Sequence, residues 1–103
     1  MKIIEILSER RKEEVCDAKS YVKMAIEYKD EYPELARTFY NLSMQEMEHS
    51  NLLHNETTEI IRKYREQNGE PPADMLAVYE YLHKKRIEQA LEVKMLQNMY
   101  KES

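Results

Sequence analysis

The chain has no tryptophan, one glycine, one cysteine, one phenylalanine and three prolines in 103 residues. With Cys16 alone, no internal disulfide can form, and a reducing intracellular compartment, the cytoplasm, is the expected setting. A single glycine, Gly69, excludes a glycine-rich phosphate loop and disfavours sheets built on tight turns. No apolar run approaches the roughly 20 residues that span a bilayer, so no membrane partner is expected. The opening stretch Met1 to Leu7 carries Glu5 and runs into further charges, which is not the pattern of a secretory signal. A net charge of -4 leaves no basic footprint, and nucleic acid is not expected as a partner. Neither a nucleophile constellation nor zinc-ribbon cysteine spacing is present.

What remains is charge and helix formers. Charged residues make up 35% of the chain, a composition that favours long helices. The length suits one domain, residues 1–103, with one core. Two breaks divide it. Pro33 follows the polar run Lys29-Asp30-Glu31-Tyr32 and can open a helix, and Gly69-Glu70-Pro71-Pro72 can close one. The reading is an all-α, antiparallel three-helix chain, with helices over about residues 3–31, 33–68 and 73–101. Short connections make neighbouring helices antiparallel.

Within the second helix, Leu35, Phe39, Leu42, Leu53, Ile60 and Tyr64 fall on one face at about 100° per residue. Glu46 and His49 fall on that same stripe, whereas Gln45 and Glu48 point away. A bare carboxylate in an apolar seam costs several kcal/mol, of that order, unless a cation compensates it. A metal ion held by several carboxylates and an imidazole is a natural compensation.

The first helix repeats the anomaly. Its stripe is Leu7, Glu14, Ala18, Tyr21, Ala25 and Tyr28, flanked by Val15 and Val22. Glu14 lies mid-stripe and Asp17 on its edge, while Glu13 and Cys16 face elsewhere. A hairpin turning near Tyr32 and Pro33 brings residues 14 to 18 level with 46 to 50. Either Glu14 or Asp17 then faces Glu46 and His49. The alternative is a Glu14 carboxylate that reaches solvent at the rim. The third helix offers Glu80 and His83. His83 lies mid-stripe with Leu76, Tyr79, Ile87 and Ala90, as a metal ligand or equally as a hydrogen-bonded core histidine, and Glu80 lies at the edge, where a solvated carboxylate is the simpler reading. Arg86 falls near the apolar face and implies an internal carboxylate partner or a helix interface. His54 sits off the Glu46 stripe and reads as an interface residue.

A first-helix acid, a tyrosine seven residues after Glu14, and Glu46-x-x-His49 on the next helix together resemble the ferritin-like superfamily. The hairpin is most similar to rubrerythrins and to the short encapsulated ferritins, over roughly residues 10 to 60. The resemblance implies a carboxylate-bridged di-iron site in a four-helix bundle, where iron(II) is oxidised by oxygen or peroxide. It implies Glu14 as a terminal or bridging ligand, Glu46 as the bridge, His49 as a nitrogen ligand and Tyr21 as a hydrogen-bonding partner behind them. The family pattern uses two glutamates and two Glu-x-x-His pairs on four helices, and this chain supplies three helices. Two chains each donating the hairpin would complete the set as a dimer. Alternatively, Glu80 and His83 would complete a smaller site within one chain. The donor set suits iron, manganese or zinc, and the resemblance selects iron.

Association has separate grounds. Ala36, Tyr40, Met44, Met47, His54 and Ile61 form a second apolar face on the second helix, and Tyr81, Met95 and Met99 lie off the main stripe of the third. So short a chain cannot bury both faces of three long helices, so a homodimer or higher homo-oligomer is expected. Two function classes follow. One is a metal-binding oxidoreductase of ferroxidase, iron-handling or peroxide-scavenging type. The other is a non-catalytic helical oligomerisation module that has lost metal chemistry. The tail Met99 to Ser103 shows no apolar docking peptide, which counts against enclosure by a shell protein.

Overall fold

The computed structural model describes residues 1–102, and these form three helices. They are α1 (Lys2–Tyr28), α2 (Pro33–Asn68) and α3 (Ala73–Glu102). Pro33 opens α2 at its first turn, where a missing N–H costs nothing. Gly69 closes α2 with φ of 76°, and its N–H donates to the Arg65 carbonyl at 3.0 Å. That left-handed backbone is open to glycine without strain. The 36 residues of α2 extend about 54 Å at about 1.5 Å per residue, which accounts for the molecule's long dimension of 56 Å.

Contacts along α1 give the topology. Ala18 meets Ser43 and Glu14 meets His49, so α2 runs antiparallel to α1. Met1 meets Met75, Arg11 meets His83 and Lys19 meets Glu92, so α3 runs back parallel to α1. The first helix is the spine: it packs along both others, whereas α2 and α3 touch sparsely. A cleft therefore stays open between them.

The core is narrow and built from small side chains. Val15, Ala18 and Val93 form its centre with Met47 packed against them. Ser43, Ser50 and Thr57, at seven-residue spacing on α2, are buried beside them. Small residues at this spacing let helix backbones approach closely. Among the described residues no leucine, methionine or tyrosine is fully buried. Leu35, Ile87, Leu91, Met95 and Met99 are exposed.

The helix faces differ from the expected stripes. The α2 face inside the chain is Ala36, Ser43, Ser50, Thr57 and Ile61, and the more apolar face through Phe39, Leu42, Leu53 and Ile60 is only half covered. On α1 the buried set is Ile4, Arg11, Val15, Ala18, Val22 and Ala25, which puts Leu7, Glu14, Tyr21 and Tyr28 at its margin. On α3, Arg86, Val93 and Gln97 are buried and Ile87 is exposed. The reason is that α3 packs on the flank of α1 carrying Arg11, Val15 and Ala18, and rotates the interior toward it.

A polar relay crosses this core. Gln97 Nε2 donates to Ser43 Oγ at 3.0 Å, and Ser43 Oγ donates to the Ala18 carbonyl at 2.7 Å, tying all three helices. Ser43→Ala strands the Gln97 amide and is expected to cost about 1–3 kcal/mol. The double variant Ser43→Ala/Gln97→Leu should recover part of that loss, because no buried donor is left unpaired. Urea denaturation of both variants checks this; equal losses in single and double would contradict it.

Candidate metal centre

Glu14 on α1 and Glu46 and His49 on α2 are brought together because the hairpin turn places them on one level. His49 Nδ1 lies 3.5 Å from Glu14 Oε2 and 3.9 Å from Glu46 Oε2, and one donor atom from each residue lies within 4.8 Å of the others. An ion bound at about 2.0–2.2 Å from each ligand holds neighbouring donors about 3–4 Å apart, a range that the two His49 spacings share with a plain imidazole–carboxylate ion pair. Both glutamates are partly buried, with side chains 26% and 19% exposed, and the imidazole is 55% exposed. The carboxylates are thus the more covered members of the group and His49 the more exposed.

The other candidates lie apart from this group. Asp17 is exposed, so of the two α1 acids Glu14 is the one beside His49. Tyr21 is half-buried one turn-pair further along α1 and stacks on Phe39 with ring centroids 6.2 Å apart. Among the described residues it makes no hydrogen bond to Glu14 or Glu46. Glu80 is exposed at the rim of the α2–α3 cleft. His83 faces the other side of the bundle, stacked on His54 at 4.5 Å with its Nδ1 3.5 Å from Arg11 Nη1.

That second cluster contains the residue that the helical pattern hides. Arg11 is buried although its neighbours in sequence, Arg10 and Lys12, are exposed. The available signal was its seven-residue spacing with Ile4, Ala18 and Ala25, all of which are buried. Burial, and then the Arg11 charge, hold the His54 and His83 imidazoles below the ordinary histidine range; His83 adds to the effect on His54. Both rings therefore take up protons less readily in the folded chain than in the unfolded chain, which takes them up near the ordinary value of about 6.5. Stability from this source is complete above that pH and is lost as pH falls from there toward the lowered folded values. Metal-free protein should melt at lower temperature at about pH 5.5 than at about pH 7.5. His54→Gln/His83→Gln should flatten that slope. An unchanged slope in the double variant would contradict the assignment.

Among the described residues no helix is long and apolar enough to cross a membrane. No protein-family model, curated protein or solved structure matches this chain.

Proposed function

We propose that Glu14, Glu46 and His49 form half of a carboxylate-bridged di-iron centre, completed when a second copy packs its own α1–α2 hairpin against the first. The observation that carries this reading is the convergence of two partly buried carboxylates and an imidazole at ligand spacing, from residues 14, 46 and 49. On the resemblance to ferritin-like hairpins, the activity is of ferroxidase or peroxide-scavenging type, with iron(II) as the substrate of the former.

The hairpin surface supports a partner at this place. Leu7, Tyr21 and Tyr28 of α1 and Phe39, Leu42, Leu53, Ile60 and Tyr64 of α2 are all half-buried, and the three donors sit in their midst. A surface that apolar and that continuous favours burial against another copy. Three donors also leave positions to fill, since iron takes more ligands than three. A twofold arrangement would double the set to four carboxylates and two imidazoles, which is the donor set of a di-iron site in a four-helix bundle.

In this reading Glu14 and Glu46 hold the metal charge on their partly buried carboxylates, and His49 contributes neutral nitrogen. Iron held by these residues would supply the redox chemistry with oxygen or peroxide. The apolar side chains of the hairpin restrict water, which strengthens the carboxylate–cation attraction. The second reading, a structural helical module, is favoured by one feature: protonated His49 can pair with Glu14 with no metal present.

Sedimentation of chelator-free protein with and without iron(II), under anaerobic conditions, separates the two. A dimer at micromolar concentration that binds about one iron per chain, and consumes oxygen when air is admitted, is expected. A chain that binds no stoichiometric metal and consumes no oxygen with iron(II), whatever its oligomeric state, supports the structural module.

A further inference from the structure

The bundle buries two positive charges, and among the described residues no negative charge meets them. Arg11 and Arg86 are only 8% and 5% exposed. None of the ion pairs among the described residues involves either one. Arg86 donates to the Gln89 amide oxygen, and Arg11 has the His83 ring nitrogen at 3.5 Å, the outer limit of a hydrogen bond. The Nε of each arginine is buried without a partner, as is His54 Nδ1. The chain carries 20 acidic residues, so this is not for want of carboxylates.

Two desolvated guanidinium groups without an anion are costly, by several kcal/mol per ion on the usual order. A water molecule would satisfy an N–H but not the charge. We infer that the Arg11–Arg86 pair is a site for a small free oxyanion of phosphate or sulfate chemistry, lying between the three helices beside His54 and His83. Guanidinium groups bind such oxygens two at a time, whereas chloride offers a single point. Burial weakens the hold of Arg11 on its proton, and Arg86 adds to this against the opposing effect of Tyr79; an anion between the two reverses that repulsion.

Access and selectivity come from the open side of the bundle. The cleft between α2 and α3 has a volume of about 460 Å³ and is lined by Ile61, Leu76, Tyr79 and Glu80 among others. Tyr79, which lines this cleft, also stacks on His83 at 6.0 Å and so stands between the cleft and the cluster. A helix-borne carboxylate reaches only a few ångströms beyond its backbone, too short for guanidinium groups this deeply covered.

The test uses the whole chain, freed of metal by dialysis against a chelator so that no iron can hold phosphate. Equilibrium dialysis with labelled phosphate is expected to give one saturable site per chain. Sulfate should compete, and chloride at matched ionic strength should not. Arg11→Met and Arg86→Met should each weaken binding at least about tenfold. Because methionine matches the arginine stem and removes a buried unpaired charge, these variants are expected to fold at least as stably as the parent. Glu46→Ala should bind phosphate normally, which separates this site from the metal centre. Phosphate bound no better than chloride overturns the inference, and this readout needs no variant. Unchanged binding in both methionine variants also overturns it. So does absent phosphate binding with self-association lost in Arg86→Met, which would point to a carboxylate from a second copy.

Discussion

Glu46→Ala and His49→Ala are each expected to weaken manganese(II) or iron(II) binding at least about a hundredfold while leaving the helical content intact. Loss of a group that only orients a ligand already costs about 10- to 100-fold, and removal of a ligand itself should exceed that. Glu14→Ala should behave alike, because its carboxylate oxygen lies 3.5 Å from His49 Nδ1. Asp17→Ala should bind metal normally, since that side chain stands in solvent outside the group. The contrast between adjacent acids on one helix matters more than any single loss. Equilibrium dialysis with metal analysis, beside circular dichroism, reads both quantities. Equal affinities in Glu14→Ala and Asp17→Ala would remove the case for a site at this level of the hairpin.

The largest effect on stability is expected at Ala18. Its side chain is fully buried where α1 meets both other helices, against Val93 on one side, and its carbonyl accepts the Ser43 hydroxyl on the other. Ala18→Leu adds three carbons to a side chain with no exposed surface, and overpacking of this kind costs about 1–3 kcal/mol or more. For a domain of this size the melting temperature should fall by about 4–20 °C. Ala18→Gly leaves the spacing unchanged and should cost about 2 kcal/mol, through helix propensity and the loss of one buried methyl. Thermal melts of the two variants check the comparison. A leucine variant as stable as the parent would mean that α3 is not held against this part of α1.

Much of the fold is legible in the order of the residues. Breakers at Pro33 and around Gly69 give the boundaries of α2 to the residue, because each acts through its own backbone and needs no tertiary partner. The level of Glu14 with Glu46 and His49 follows from the same hairpin turn by counting residues. Rotation of the helices is what the pattern misses. Periodicity locates the most apolar face, here through Leu42, Leu53 and Ile60, but the chain buries Ser43, Ser50 and Thr57 instead. Small polar residues do not register as core in an apolar pattern, although their size is what admits a close neighbour. Arg11 is hidden for a related reason: an arginine among Arg10 and Lys12 reads as solvated, and only its phase with Ile4 and Ala18 places it inside. The mismatch itself carries information. The face the sequence makes most apolar is the one the single chain leaves half covered, and Glu14, Glu46 and His49 lie in its midst.

The central claim is that these three side chains grip a transition metal. Crystals grown with iron(II) or manganese(II), measured at the metal's absorption edge, test it without reference to activity. The predicted result is an anomalous peak at about 2.0–2.3 Å from oxygens of Glu14 and Glu46 and a nitrogen of His49, with the same residues of a second copy opposite. No peak there, with His49 paired to Glu14 alone in a metal-soaked crystal, would contradict it.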